Sequence, residues 1–495
     1  MLTFELEKLI LSLSAAEKKH FQLHCARLNG PKDYLLLYEL VLNKSPNVGD
    51  RSWEQQFREN YPSKSFENTA SYLYKVLTDT LVQIRIEQDT WYAQYHYLMK
   101  ARLCFERSMP NRAHKALKKA VKLAAESQNH AVAYQASRME LTALADVGFP
   151  GVSEQQLVDK QMKAKHTLQS LRQLHEHYSL YELLSYRLTR GSLTVSGKSD
   201  KKINDLILSE LSLTTRGSQH EFEPQKLHLL FQSFFFIHTG EYSSALRIFN
   251  ELNKLIESNE SMWDYPPYDY LSALDGILDS LRSIGYYKEM ALFIEKAWSL
   301  SKRPYPDHFS NFAMLTAQVY QLNMLLGSAN VQEALLLLNR YHDDPQSASA
   351  IEGHEKQLEY NYFEGLTYFL AQQWTKANRC INRLLTAEKQ HMRLPAFRAT
   401  RLLHILIGYE LDDLSYLDYE IRSYKRAFSK FGKAYKTEKL VFDTIAADPK
   451  RRGNAWKETA RKKISEKLLD IQAEKQENQL RKYFDFGQWA LDKHR

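Results

Sequence analysis

In the stretch "LHLLFQSFFFIHTGEYSSALRIFNEL" (227–252), apolar residues run almost unbroken to Ile237, then stop at His238 and Gly240. Beyond the glycine they return as Ala245, Phe249 and Leu252, spaced by four and three, which is one face of a helix. The pattern predicts a buried helix, a glycine turn and an amphipathic second helix, that is, a helical hairpin. The same order recurs in "LRSIGYYKEMALFIEKA", through Gly285, Tyr287, Met290, Ile294 and Ala297. It recurs again in "YFEGLTYFLAQQWTKANRCINRLL", through Gly365, Tyr368, Trp374, Ala377, Ile381 and Leu384. Weaker copies centre on Ala334, Leu417 and Ala113. Positions 245, 290, 334, 377 and 417 lie 45, 44, 43 and 40 residues apart, so the hairpin is one unit of an array. The interval from 113 to 245 leaves room for two more hairpins, with breaks at "VGFPGVS" (147–153) and "GSLTVSGKSDKK" (191–202).

The ends read differently. Ser14 followed by Glu17 forms a capping box, after which Phe21, Cys25 and Leu28 line one helical face. "NGP" (29–31) ends that helix, and "SPNVGDRS" (45–52) breaks the chain before a short and a long helix. Residues 1–88 are therefore expected to be a helical cap, residues 89–430 the repeat array, and residues 431–495 a second helical cap. In that last segment Tyr483, Phe484, Phe486, Trp489 and Leu491 are too apolar to stand in water, and they are expected to dock on the last hairpin.

Composition agrees with long helices. Only 17 glycines and 13 prolines in 495 residues leave few turns, and 44% hydrophobic with 25% charged residues is the balance of a folded domain. A net charge of +8 permits contact with nucleic acid or acidic proteins without requiring it. Three scattered cysteines without CxxC spacing predict a reducing compartment, most simply the cytoplasm. No apolar run is long enough to predict insertion into a membrane.

The Gly–Tyr turn followed by a small residue, a bulky residue and a small or apolar one resembles the tetratricopeptide repeat, although the spacing exceeds that repeat's usual length of about 34 residues. The resemblance implies an all-α, right-handed superhelix of stacked hairpins with a period of about 40–45 residues. It also implies a groove, lined by the first helix of each hairpin, that holds a partner peptide or helix. Carried over position by position, the groove residues are Tyr95 and Arg102, then Phe234 and His238, then Asp275, Asp279 and Arg282, then Asn323. A second resemblance rests on "LSAAEKKHFQLHC", "SYLYKVLTDTL", "HILIGYELDDLSYLDYEIRSYKRAFSK" and "KYFDFGQWALDK". These are similar to stretches of helical-repeat proteins of Bacteroidota-type bacteria that have no assigned activity. That likeness supports the fold and adds nothing on chemistry.

Catalytic and cofactor signatures are missing from the sequence. There is no GxxxxGK[ST] loop and no GxGxxG after a strand. "HFQLHC" sets His20 and His24 one turn apart, but Phe21 stands where a metalloprotease places its glutamate, and no metal site is predicted. The sequence thus predicts a non-enzymatic scaffold that binds another protein. The alternative is a DNA-binding regulator with a helix-turn-helix at 52–86, reading DNA through Lys64, Asn68, Ser71 and Lys75, and using the array as a sensor. A recognition helix usually carries more cations than this one, so nucleic acid is the less favoured partner.

Overall fold

The computed structural model describes residues 2–27, 33–42, 53–190, 199–214, 221–343, 355–386, 394–412, 414–429, 434–447 and 457–493. The expected break at 45–52 lies wholly outside these residues; of that at 191–202, residues 191–198 lie outside them and 199–202 are helical. Among the described residues all regular structure is helical, with 24 α-helices that pack mainly on their neighbours in sequence. The chain divides into two compact units, Met1–Gln173 and Leu174–Arg495.

The first unit opens with α1 (Leu2–Leu11), α2 (Ala15–Arg27), α3 (Asp33–Leu42), α4 (Trp53–Asn60) and α5 (Phe66–Gln88). They share one core, in which Leu6, Phe21, Tyr38, Phe57 and Leu73 are buried. The capping box is present as read. The Ser14 N–H donates to Glu17 Oε2 (2.9 Å), and the Glu17 N–H donates to Ser14 Oγ (3.3 Å). Next come α6 (Thr90–Glu106), α7 (Pro110–Glu126) and α8 (His130–Asp146). Leu98 and Ala101 of α6 close against Ala116, Leu117 and Ala120 of α7 in a separate core.

One expectation fails here. Between Ala113 and Ala245 the spacing left room for two further hairpins, which would be four helices. In their place stand α8, a single 37-residue helix α9 (Glu154–Arg190), and α10 (Ser199–Thr214). Residues 154–190 contain neither glycine nor proline, so nothing stops the helix midway. The division between the two units falls within α9.

The second unit is built from hairpins. These are α11 (Phe222–Thr239) with α12 (Tyr242–Glu257), α13 (Tyr268–Ile284) with α14 (Met290–Ser301), and α15 (Asp307–Gly327) with α16 (Val331–Asp343). They continue with α17 (Glu355–Leu370) and α18 (Trp374–Thr386), then α19 (Pro395–Glu410) and α20 (Leu414–Phe428). Each first helix packs on its own second helix and also on the first helix of the next pair, so α11, α13, α15, α17 and α19 form a row.

The turns explain the register. Gly240, Gly285, Ala329, Gln372 and Asp412 all adopt left-handed backbone angles (φ 77°, 80°, 61°, 58° and 62°). Each stands five residues before a buried position, namely Ala245, Met290, Ala334, Ala377 and Leu417. A left-handed residue reverses the chain and lets following N–H groups reach the last carbonyls of the helix. At the first turn the Gly240 N–H donates to the Ile237 carbonyl (3.1 Å) and the Glu241 N–H to that of Phe236 (2.9 Å). Gly365, read as part of a turn, instead lies inside α17. A Cβ there would come within 2.6 Å of Ile381 Cδ1, so the missing side chain permits close helix approach.

Beyond α20 the chain continues as α21 (Lys436–Ala446), α22 (Lys457–Ala473), a 3-10 turn (Lys475–Glu477), α23 (Asn478–Arg481) and α24 (Phe486–Asp492). Among the described residues no helix is long and apolar enough to cross a membrane.

Candidate functional site

On α13, Asp275, Asp279 and Arg282 fall at i, i+4 and i+7 and so share one face. That face is not open to water, for Asp279 is 8% exposed and Arg282 3%. Arg282 Nε donates to Asp279 Oδ1 (2.7 Å), and its Nη2 donates to Glu359 Oε1 of α17 (2.7 Å). Lys356, one turn before Glu359, donates to Glu359 Oε2 (2.9 Å) and pairs with Asp275 Oδ1 (2.5 Å). Tyr320 of α15 donates from its hydroxyl to Asp275 Oδ1 (2.8 Å).

The remaining partners come from some two hundred residues further along the chain. Lys482 Nζ reaches both carboxylate oxygens of Asp279, each at 3.0 Å. The Tyr483 hydroxyl donates to Glu359 Oε1 (2.9 Å). The Arg282 guanidinium lies 5.0 Å from the centre of the Tyr320 ring and 4.9 Å from that of Tyr483. Three carboxylates thus meet three cations, with aromatic rings beside the arginine. Glu355 adds a further carboxylate at the edge, its pKa raised by burial and then by Glu359.

Burial by itself would raise the Glu359 carboxyl, but Arg282 and then Lys356 outweigh it and hold the group well below the usual range. Asp279 is likewise lowered, with burial overcome by Lys482 and then Arg282. Burial pushes the Tyr320 and Tyr483 hydroxyls well above their ordinary value. The cluster therefore holds Asp279 and Glu359 ionised and the Tyr320 and Tyr483 phenols neutral.

Residues 475–493 run along the row of first helices as a strap. Lys475 forms an ion pair with Glu241, and Gln479 Nε2 donates to the Ile237 carbonyl of α11 (3.3 Å). After Lys482 and Tyr483, Phe484 meets Phe369 of α17 at 6.2 Å between ring centres, and Trp489 meets Tyr409 of α19 at 5.6 Å. Within the strap, Glu477 caps α21, accepting from the Lys436 N–H (2.7 Å) and the Thr437 N–H (3.1 Å). The aromatic residues of this segment are buried or half-buried, as their composition requires, but not on the last hairpin alone. There α21 already fills the space, its buried Glu438 accepting from Arg398 (2.7 Å) and Tyr424 (2.7 Å).

The strap's position can be tested at two glycines. Gly240 and Gly285 share the left-handed conformation, but a Cβ on Gly285 meets open space, whereas one on Gly240 comes within 2.9 Å of the Lys475 carbonyl oxygen. Gly285→Ala is expected to cost about 1–2 kcal/mol from backbone strain alone. Gly240→Ala should cost measurably more in urea unfolding, and equal losses would mean that the strap does not lie there.

The other groove candidates have different fates. Phe234 is half-buried between the Tyr181 and Phe249 rings, at 6.2 and 6.0 Å, and belongs to the core. His238 is half-buried near the end of α11. Asn323 is buried in α15, and its Oδ1 has no hydrogen-bond partner among the described residues. In the first unit the Tyr95 ring lies tilted against Trp91 (4.6 Å between ring centres), and exposed Arg102 pairs with Glu106 (3.1 Å). Of the possible DNA contacts, Asn68, Ser71 and Lys75 are exposed, whereas Lys64 forms an ion pair with Asp33. Nearby Glu67 and Glu54 both engage Arg58, so this surface carries carboxylates as well as cations.

The sequence reading missed Tyr320, Lys356, Glu359 and Lys482. One signal was present: Glu359 begins the stripe Tyr362, Phe363, Leu366 at i+3, i+4 and i+7, and a charge within an apolar stripe needs a partner. Among the described residues no three His, Cys, Asp or Glu side chains converge to hold a metal ion. A scan of the chain against protein-family models finds no match, and a search of curated proteins finds none either.

Proposed function

We propose that this chain is a non-enzymatic interaction scaffold, a tetratricopeptide-like superhelix that binds a peptide or helix of a partner protein on the first-helix row of Leu174–Arg495. The observation that carries this reading is that the row already holds a peptide segment, residues 475–493. It does so through Asp279, a residue that the repeat pattern assigns to the groove. Turns recurring at 240, 285, 329, 372 and 412 support a regular array. Sparse, buried cysteines support a reducing compartment.

The test places a photo-crosslinking residue at one position at a time in the full chain, in its own cells. Tyr286 and Leu411 are exposed beside the first helices, while Leu292 and Leu336 are exposed on second helices and serve as controls. The same protein should be captured from Tyr286 and Leu411, and not from the controls. Capture from all four alike, or from none, would remove this function. A variant with Lys64→Glu and Lys75→Glu should keep the partner. If it loses a DNA complex instead, the regulator reading takes over.

A further inference from the structure

The strap makes an unusual junction for a purely structural element, because its centre is ionic. Without Lys482, Asp275, Asp279 and Glu359 face only Arg282 and Lys356, and without Tyr483 the arginine loses one of its two rings. Buried ion pairs add little net stability compared with apolar packing, and their best-attested use is to fix register. The surroundings are also incompletely satisfied. Arg282 Nη1 and the Tyr362 hydroxyl are buried beside the strap with no hydrogen-bond partner among the described residues. Tyr362 packs edge-on against Tyr483 at 5.6 Å. A group left in that state costs about 1–3 kcal/mol, so the chain's own segment is not the best filler this face could have. Of the outer contacts of the strap, the Lys475–Glu241 ion pair is exposed and of small value.

We propose that residues 478–493 are an internal ligand, and that the face they cover takes peptides with a Lys or Arg followed directly by an aromatic residue. Further aromatics are required three and six residues after the first, in the places of Phe486 and Trp489. A partner segment of this chemistry competes with the chain's own. This assignment rests on the scaffold reading and names the partner chemistry for it.

The probe is a fluorescently labelled synthetic peptide of residues 478–493. It is titrated against the full chain and against a full-length variant carrying Lys482→Ala and Tyr483→Ala, whose fold is checked by circular dichroism and thermal unfolding. The variant should bind the peptide saturably. Wild type should bind about 100-fold more weakly for a peptide of about 10 μM affinity, because a tethered competitor acts at an effective concentration of about 1 mM. A peptide with the same two alanines should bind neither protein. A folded variant that does not bind the probe overturns the proposal.

If the variant does not fold, a protease site is inserted between Ala447 and Lys457 of the wild-type chain, the chain is cut, and labelled fragment 457–495 is added. Exchange seen by native mass spectrometry upholds the proposal. A fragment that never exchanges overturns it, as does precipitation that excess fragment does not prevent. Failure here with a partner still captured at Tyr286 and Leu411 would remove the internal ligand and leave the scaffold. Binding here without any captured partner would do the reverse.

Discussion

Glu359→Ala is expected to lower the unfolding free energy of the chain by about 3–5 kcal/mol, because it breaks a buried ion pair and strands the partners. Glu359 is 2% exposed and accepts from Arg282, Lys356 and Tyr483 at once, so no other single change at the cluster orphans as many donors. Glu359→Gln keeps the shape and separates charge from packing. Urea unfolding followed by circular dichroism measures both, and a loss under about 1 kcal/mol for the alanine variant would remove Glu359 from the centre of the network.

The same carboxylates make stability sensitive to acid. Asp279 and Glu359 have folded pKa values below their ordinary 3.8 and 4.5. Their contribution is therefore complete above those ordinary values and is lost as pH falls through the depressed ones. Glu355, whose pKa is raised, acts in the opposite direction. Unfolding midpoints of wild type should drop steeply below pH 4.5, and those of Glu359→Gln less steeply.

Removing residues 479–495 should have a larger effect. Leu480, Tyr483, Phe486 and Trp489 are all buried, and at about 1.5–3 kcal/mol each their loss sums to about 6–12 kcal/mol. That approaches the entire stability of a typical domain, about 5–15 kcal/mol. The deletion also uncovers Tyr362, Phe369 and Tyr409 and leaves Asp279 without Lys482. The truncated chain is expected to self-associate or precipitate, as seen by light scattering. A monomeric truncation of unchanged stability would show that the strap is not part of the folded unit.

What could be read from the sequence was local. The register of the turns was legible because small and apolar residues recur at helical spacing within each hairpin, and Ala245, Ala334 and Ala377 are indeed buried. The shared face of Asp275, Asp279 and Arg282 was legible for the same reason. What surrounds it was not, because Lys482 meets Asp279 across 203 residues and Tyr483 meets Glu359 across 124, and such pairing leaves no periodic trace in the chain. The long helix α9 was misread because a repeat interval implies room for turns without supplying the residues that make them.

The contact between Lys475 and Glu241 spans 234 positions, and this bears on how the molecule reaches its folded state. Hairpin arrays ordinarily fold through near-neighbour contacts, and each unit can form as soon as it is made. Here the first-helix row waits for a closing segment. At about 5–20 residues per second, roughly 12–50 s of synthesis separate α11 from the strap that covers it. During that time an ionic and aromatic face stands open on the growing chain, so contacts of long sequence separation are added to an otherwise local fold.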